Sequence, residues 1–369
     1  MRIIVLDKNF DTIGSVGIFN SLIWDRRYYE SGIFELHTPV EYFELLNSGK
    51  YIYRNDRKEL GIIREVSYQQ TDKGERTAYV KGYFAEHLLD NRIIQNTVNI
   101  TGTPEDISRA LMTTYFLNPS DSGRKIENIS LGDRKGIGTS TTLQTTGDNV
   151  GAKMYEIEQT QEMSHRLSFD YLTNTLTFEV WKGLDRTDSQ DTNSWAIFSN
   201  SFYNVKSVVY DRDESASKNY AYVAGEGEDP NRIIIEIDAR TSPDEERREV
   251  YVDARDLQSK YQDADGTEHT YSADEYKAIL RQRGIEKLSE YAAVETINSD
   301  IDADANLVYR KDFDLGDLCT YKNTDVGIEC AKRITEIQEV YEGSSVTLTV
   351  TFGVDDATSI TKIIKRETT

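Results

Sequence analysis

Gly49-Lys50-Tyr51-Ile52-Tyr53-Arg54-Asn55-Asp56, followed by Gly61, Ile62 to Tyr68, Gly74 and an alternating run to Gly82, decides the reading because its order returns near the other end. There Gly316 leads into Leu318 to Tyr321, an Asn323 to Asp325 turn, Gly327 and a long run from Ile328 to Val340. Gly343 follows, and then Val346, Leu348, Val350 and Phe352 alternate with Ser and Thr. A period of two marks half-buried strands, and the glycines and Asn-Asp pairs mark the turns between them. Gly49, Gly61 and Gly74 recur as Gly316, Gly327 and Gly343 at an almost constant separation. A β-unit duplicated within one chain accounts for this, although two unrelated meanders sharing glycine punctuation would look the same.

With 369 residues the chain exceeds what one core serves, so about two to four domains are expected. Its 38% hydrophobic content supports ordinary soluble cores, and no apolar run is long enough to cross a bilayer. Met1-Arg2-Ile3-Ile4-Val5-Leu6 meets Asp7 at once, unlike a signal peptide, so synthesis in a cytoplasm is expected. A net charge of −21 argues against gripping a phosphate backbone, which needs clustered Lys and Arg; it is compatible with letting DNA slide past. Tyrosine, at 23 residues against 12 Phe and 3 Trp, suits half-buried strands and protein interfaces alike.

Strand and turn signals fill the first 98 residues, with a short helix after Pro39 and a helical turn around His87-Leu88-Leu89. Thr103-Pro104-Glu105-Asp106 then starts a helix with a hydroxyl cap, a first-turn proline and acids at the positive dipole end. The 132–147 stretch reads as loop or mobile strand. A second helix from Asn149 carries Val150, Met154 and Ile157 on one face, and a hairpin turns at Leu172-Thr173-Asn174. Strands return at Val205 to Tyr210, Tyr220 to Ala224 and Arg232 to Ile237. Ser272-Ala273-Asp274-Glu275 opens a further helix, for which Gly284 is the expected break. If the second meander's hairpin is symmetric about its turn, Tyr321 faces Ile328 and Cys319 faces Cys330. A cross-strand disulfide is then conceivable, whereas cytoplasmic synthesis favours two buried thiols.

No pattern in the chain specifies an active site, a cofactor or a metal. His37, His87, His165 and His269 are scattered without metal spacing, so surface or capping roles are expected. Asp263, Asp265 and Asp274 fit positions one, three and twelve of a calcium loop, but the glycine sits at position four, so an Asp-Gly turn is the better reading. Gly225-Glu226-Gly227 is flanked by Glu228 and Asp229, which would repel a pyrophosphate. Trp24, Trp181 and Trp195 could stack a sugar, yet their apolar context points to core packing. With 64 Asp plus Glu, acid pairs at glycosidase spacing carry no information.

Three segments go further: Leu22-Ile23-Trp24-Asp25-Arg26-Arg27-Tyr28-Tyr29-Glu30-Ser31-Gly32-Ile33-Phe34-Glu35-Leu36, then Tyr222-Val223-Ala224-Gly225-Glu226-Gly227-Glu228 with Arg232, and Tyr251-Val252-Asp253-Ala254-Arg255-Asp256-Leu257 with Leu315-Gly316-Asp317-Leu318. In this order the chain resembles, from end to end, the tail-hub (baseplate hub, tail-associated) proteins of long-tailed bacteriophages and prophages of Gram-positive bacteria. The resemblance implies a multidomain, mainly β protein with an α+β component. Its parts would be a first tube-like β-barrel (1–98), an α+β domain (99–197), a similar second barrel (198–255 and 300–358) with a small helical insertion (256–299), and a polar tail (359–369).

The implied function is structural rather than enzymatic: a homotrimeric ring at the virion tail tip that adapts a six-fold tail tube to a three-fold tip. DNA and the tape-measure protein would pass through without specific binding. A distal tail or tube protein and tail-tip or fibre proteins would be neighbours. Because the sequence stops soon after the second barrel, no wall-degrading domain is expected. A cell-wall carbohydrate hydrolase or sugar-binding tail module is the alternative.

Overall fold

A computed structural model describes residues 1–353 except 75, 229, 263–266 and 303–304. The first region contains β1 (Ile3–Leu6), β2 (Thr12–Val16), β3 (Ser21–Arg27), β4 (Ile33–Pro39), helix α1 (Phe43–Ser48), β5 (Tyr51–Arg54), β6 (Leu60–Gln70) and β7 (Arg76–Phe84). A mixed region follows with β8 (Val98–Gly102), α2 (Pro104–Met112), β9 (Ile129–Leu131), β10 (Thr141–Thr145), α3 (Val150–Gln159), β11 (Ser164–Asp170) and β12 (Thr175–Trp181). Next come β13 (Asp185–Arg186), β14 (Ile197–Ser199), β15 (Val205–Asp213), β16 (Tyr220–Ala224), β17 (Ile234–Asp238) and β18 (Glu249–Asp253). The described chain ends with β19 (Lys260–Gln262), β20 (Glu268–Thr270), α4 (Ala273–Glu290), β21 (Val294–Ile301), β22 (Leu318–Asn323), β23 (Ile328–Glu342) and β24 (Ser345–Phe352).

Mainly β structure with a helical middle matches the expected class. Both glycine-punctuated stretches lie in one 14-stranded sheet, and both use the same strand order. In the first, β3-β4-β7-β6-β5 are consecutive antiparallel neighbours; in the second, β15-β21-β24-β23-β22 are. A bulge falls at the same place in each, between Ile63 and Glu65 and between Ile334 and Glu336. The long path through this sheet is open, running from edge strand β15 to edge strand β2, and β3 paired with β23 joins its halves.

The shared bulge fixes an alignment that sequence spacing alone conceals. Ile63 faces Gly82 and Ile334 faces Phe352; Gly82 faces Phe34 and Phe352 faces Ile297; Phe34 faces Trp24 and Ile297 faces Tyr210. Trp24 therefore corresponds to Tyr210. Ser21-Leu22-Ile23-Trp24-Asp25-Arg26-Arg27 then superimposes on Ser207-Val208-Val209-Tyr210-Asp211-Arg212-Asp213.

Each half has its own core, because one face of each strand set must leave water. Leu22, Trp24, Phe34, Leu36, Ile52 and Val80 pack in the first; Phe198, Ile297, Ile301, Ile334, Val350 and Phe352 pack in the second. The middle region completes a third core with Ile107, Leu111, Val150, Met154 and Ile157, as the helical spacing requires. Thr103 and Asp106 form the capping box of α2, and the Asn149 side chain caps α3. Strand β10, within the stretch read as loop or mobile strand, pairs with β8.

Strands β16 to β18, expected with the second repeat, make no pairing with the large sheet. They pair with one another and carry α4, whose Tyr276, Ile279 and Leu280 pack on Val223 and Ile237. Helix α4 runs unbroken through Gly284. A Cβ there would stand 2.4 Å from Ile237 Cδ1 and 2.6 Å from Val223 Cγ2, so this glycine allows close helix-to-sheet approach instead of ending the helix.

The cysteine register is also corrected. Tyr321 faces Cys330, Cys319 faces Lys332, and Ile328 faces Asn323, because the turn extends to Gly327 at φ +67°. Both thiols are free.

Candidate functional site at the seam between the repeats

Backbone pairing of β3 with β23 runs from Arg27 opposite Glu336 to Ser21 opposite Glu342, and charged groups from both repeats converge on it. Arg54, fully buried on β5, donates from Nη1 to Glu339 Oε2 at 3.2 Å and from Nη2 to the Tyr341 hydroxyl at 2.9 Å. Its guanidinium also faces the rings of Trp24 and Tyr341, at 5.2 and 4.9 Å from their centroids. Arg57 holds Glu339 with two bonds, Nε to Oε1 at 3.1 Å and Nη2 to Oε2 at 2.6 Å. Arg26 of β3 bridges Glu59 of the first repeat at 2.6 Å and Asp314 of the second at 2.5 Å.

Burial pushes the Glu339 carboxyl up, but the Arg57 hydrogen bonds and the Arg54 and Arg57 charges outweigh it and hold it below the usual carboxylate range. The same balance of burial against Arg26 and Arg310 holds Glu59 at about 2. These groups therefore remain ionised at neutral pH. Their attraction fixes the two repeats in one register, since a buried charge stripped of its partner costs several kcal/mol.

Asp25 behaves oppositely. Its carboxyl is pushed up to about 8 by burial and then by the neighbouring Glu336 charge. Arg27 pulls the other way with bonds of 3.0 and 2.9 Å to Oδ2, but it is partly exposed, whereas Asp25 is buried and its Oδ1 has no hydrogen-bond partner among the described residues. The folded chain thus holds a proton that the unfolded chain releases near its ordinary value, and this stabilisation is lost as pH rises from about 4 towards 8. Asp25→Asn should remove that slope. In urea titrations its stability relative to the parent should improve by ~1 kcal/mol or more between about pH 5 and about pH 8.5; an unchanged difference would refute the assignment.

Among the described residues, His37, His87, His165 and His269 do not come together. His165, expected in a surface or capping role, is buried, and its Nδ1 meets Glu158 Oε2 at 2.8 Å while Ser108 donates to Glu158 Oε1 at 2.5 Å. Serine and imidazole both bond the carboxylate rather than each other, so this network ties α2, α3 and β11 together. A cavity of about 220 Å³ beside it is lined by Arg26, Glu59, Glu86 and Asp314. Arg26 is bound to Glu59 and Asp314, and Glu86 accepts from the Leu167 N–H at 2.8 Å.

His37, His87 and His269 lie apart, paired with Glu35, with Asp90 and against the Tyr261 ring. Among the described residues no His, Cys, Asp and Glu cluster could hold a metal, and no helix is long and apolar enough to cross a membrane. Asp263 and Asp265 lie outside the described residues. Trp24 is buried and Trp181 partly so, but Trp195, expected in a core, is half exposed, with Nε1 donating to the Gln190 carbonyl at 2.6 Å.

Sequence reading missed the seam. Arg54 and Glu339 look like ordinary surface charges on alternating strands, and only pairing across the repeats reveals their burial. The echo of Ser21 to Arg26 in Ser207 to Arg212 was the available signal.

The fold as a whole is that of phage and prophage tail proteins. It is similar to the tail protein from Neisseria meningitidis MC58 (TM-score 0.57, 12% identity, covering 96% of each chain). It is likewise similar to the prophage tail protein gp18 from Listeria monocytogenes EGD-e (0.56, 12%, covering 100% of this chain and 98% of that one). The 43 kDa tail protein of prophage MuSo2 from Shewanella oneidensis is a third (0.57, 11%, covering 95% and 98%). Residues 2–354 match the Siphovirus ReqiPepy6 Gp37-like proteins, and the chain belongs to that family. No curated protein matches it in sequence.

Proposed function

We propose that this tail protein is a non-enzymatic hub: three copies form a ring at the tail tip, beneath a six-fold tube. The observation that carries the reading is the equal strand order of β3-β4-β7-β6-β5 and β15-β21-β24-β23-β22. A three-fold assembly presents six equivalent contacts to a six-fold one when each chain supplies two equivalent units. Each unit would act as one tube-like barrel element, with the α+β region and the α4 layer packed outside.

DNA and the tape-measure protein would pass through the centre, and distal tail and fibre proteins would dock above and below. The −21 charge supports a lumen that repels DNA, by the same charge logic that makes basic surfaces bind it. Native mass measurement tests the stoichiometry. A species of three times 42.2 kDa is expected, and a dimer, or a monomer persisting in the presence of isolated tail tubes, would refute it.

A further inference from the structure

The same strand has two fates in this chain. In the first repeat, Ser21 to Arg27 lies between β4 and β23, and Leu22, Trp24, Asp25 and Arg26 are buried. Among the described residues its counterpart β15 pairs with β21 alone, and all of residues 206–212 are exposed. Val208, Val209 and Tyr210 there show 39%, 56% and 38% of their surface. A bare strand edge with apolar side chains on it is a template for another strand.

The complementary edge is also present. On β23, the side that pairs with β22 up to Arg333 continues with β3 from Glu336 onward. On β6, the equivalent side pairs with β5 only through Ile62, and beyond it β7 on the opposite side is the sole paired strand among the described residues. Val66, Ser67, Tyr68, Gln69 and Gln70 thus present an unpaired edge, with Tyr68 44% exposed. The two leftover edges are the equivalents of the two edges already joined in the seam.

We propose that β15 of one copy pairs antiparallel with β6 of a second copy, in the register that the seam prescribes. In the seam Trp24 faces Glu339 and Ile23 faces Val340; carried across by the shared bulge, Tyr68 faces Tyr210 of the partner subunit and Gln69 faces Val209 of the partner subunit. Val66 then faces Arg212 of the partner subunit, and the end step sets Glu65 against Asp213 of the partner subunit, the one like-charged pair. Each copy donates β15 and accepts on β6, a head-to-tail contact of the kind that builds a ring when its rotation closes, and not the self-complementary contact of a symmetric dimer. This rests on the ring reading above and adds its contact and register.

Disulfide trapping tests it. Tyr68→Cys with Tyr210→Cys, and Gln69→Cys with Val209→Cys, sample both the close and the wide pairs of an antiparallel ladder. All four positions are exposed, and circular dichroism checks that folding is retained. On mild oxidation at least one in-register pair should give covalent multimers at about ten times the yield of the shifted pair Tyr68→Cys with Val208→Cys, because disulfide geometry is narrow. Native mass is read on the same samples. A three-chain mass without in-register trapping overturns the strand pairing and leaves the ring standing, whereas a monomer that traps at neither pair even with isolated tail tubes present overturns both.

Discussion

Glu339→Ala is expected to destabilise the chain by about 3 to 5 kcal/mol, read as a lower urea midpoint, because it leaves the buried Arg54 and the partly buried Arg57 short of their shared carboxylate. Arg54 keeps the Tyr341 hydroxyl and, as its remaining carboxylate, Asp56, which is itself partly exposed. Four donors converge on Glu339, namely Arg54, Arg57, Tyr341 and Tyr309. Glu339→Gln keeps the shape and an acceptor and should cost less, about 1 to 3 kcal/mol for the weakened charged hydrogen bonds. Because Glu339 and Glu59 are held low, their contribution is present at neutral pH and disappears as pH falls through the acidic range. A loss below ~1 kcal/mol for Glu339→Ala would mean that the seam does not join the repeats energetically.

Gly82→Ala should be comparably severe for a steric reason. Gly82 sits in β7 between Phe34 on β4 and Ile63 on β6. A Cβ there would lie 1.8 Å from the Ile62 carbonyl oxygen and 2.9 Å from Phe34 Cε1. The carbonyl belongs to the ladder and cannot move aside, so β6 and β7 must part at the bulge; a cost above ~3 kcal/mol, or failure to fold, is expected. Gly74→Ala is the control. Nothing lies within 4 Å of its Cβ, but φ is +84°, so about 1 kcal/mol is expected from backbone strain alone. Equal costs for the two variants would refute the close-contact account.

What the sequence made legible followed from local rules. Alternation and glycine turns revealed β5 to β7 and β22 to β24, and capping residues revealed α2, α3 and α4. The match between β3 and β15 escaped because the two repeats carry different lengths of chain between their first and second strands. Between β3 and β4 lie only residues 28–32, whereas 214–293, with β16 to β18 and α4, separate β15 from β21. A search at the spacing of the glycines therefore passes over the echo of Ser21 to Arg26. His165, Trp195 and the cysteine register were misjudged for a related reason. Burial and turn length depend on how neighbouring elements pack, which alternation and spacing do not encode: here Glu158 and Tyr155 of α3 lie against His165 of β11, and extra turn residues run to Gly327.

The equivalence of the two repeats bears most of the functional account, and it makes a geometric demand on the assembled particle. Electron cryomicroscopy of the oligomer or of intact tail tips measures it directly. The map should show three chains whose six five-stranded units repeat around one axis, with β6 against β15 of the neighbour just as β23 lies against β3 within the chain. A particle in which both edges face solvent, or in which only one repeat per chain reaches the central wall, would contradict the account.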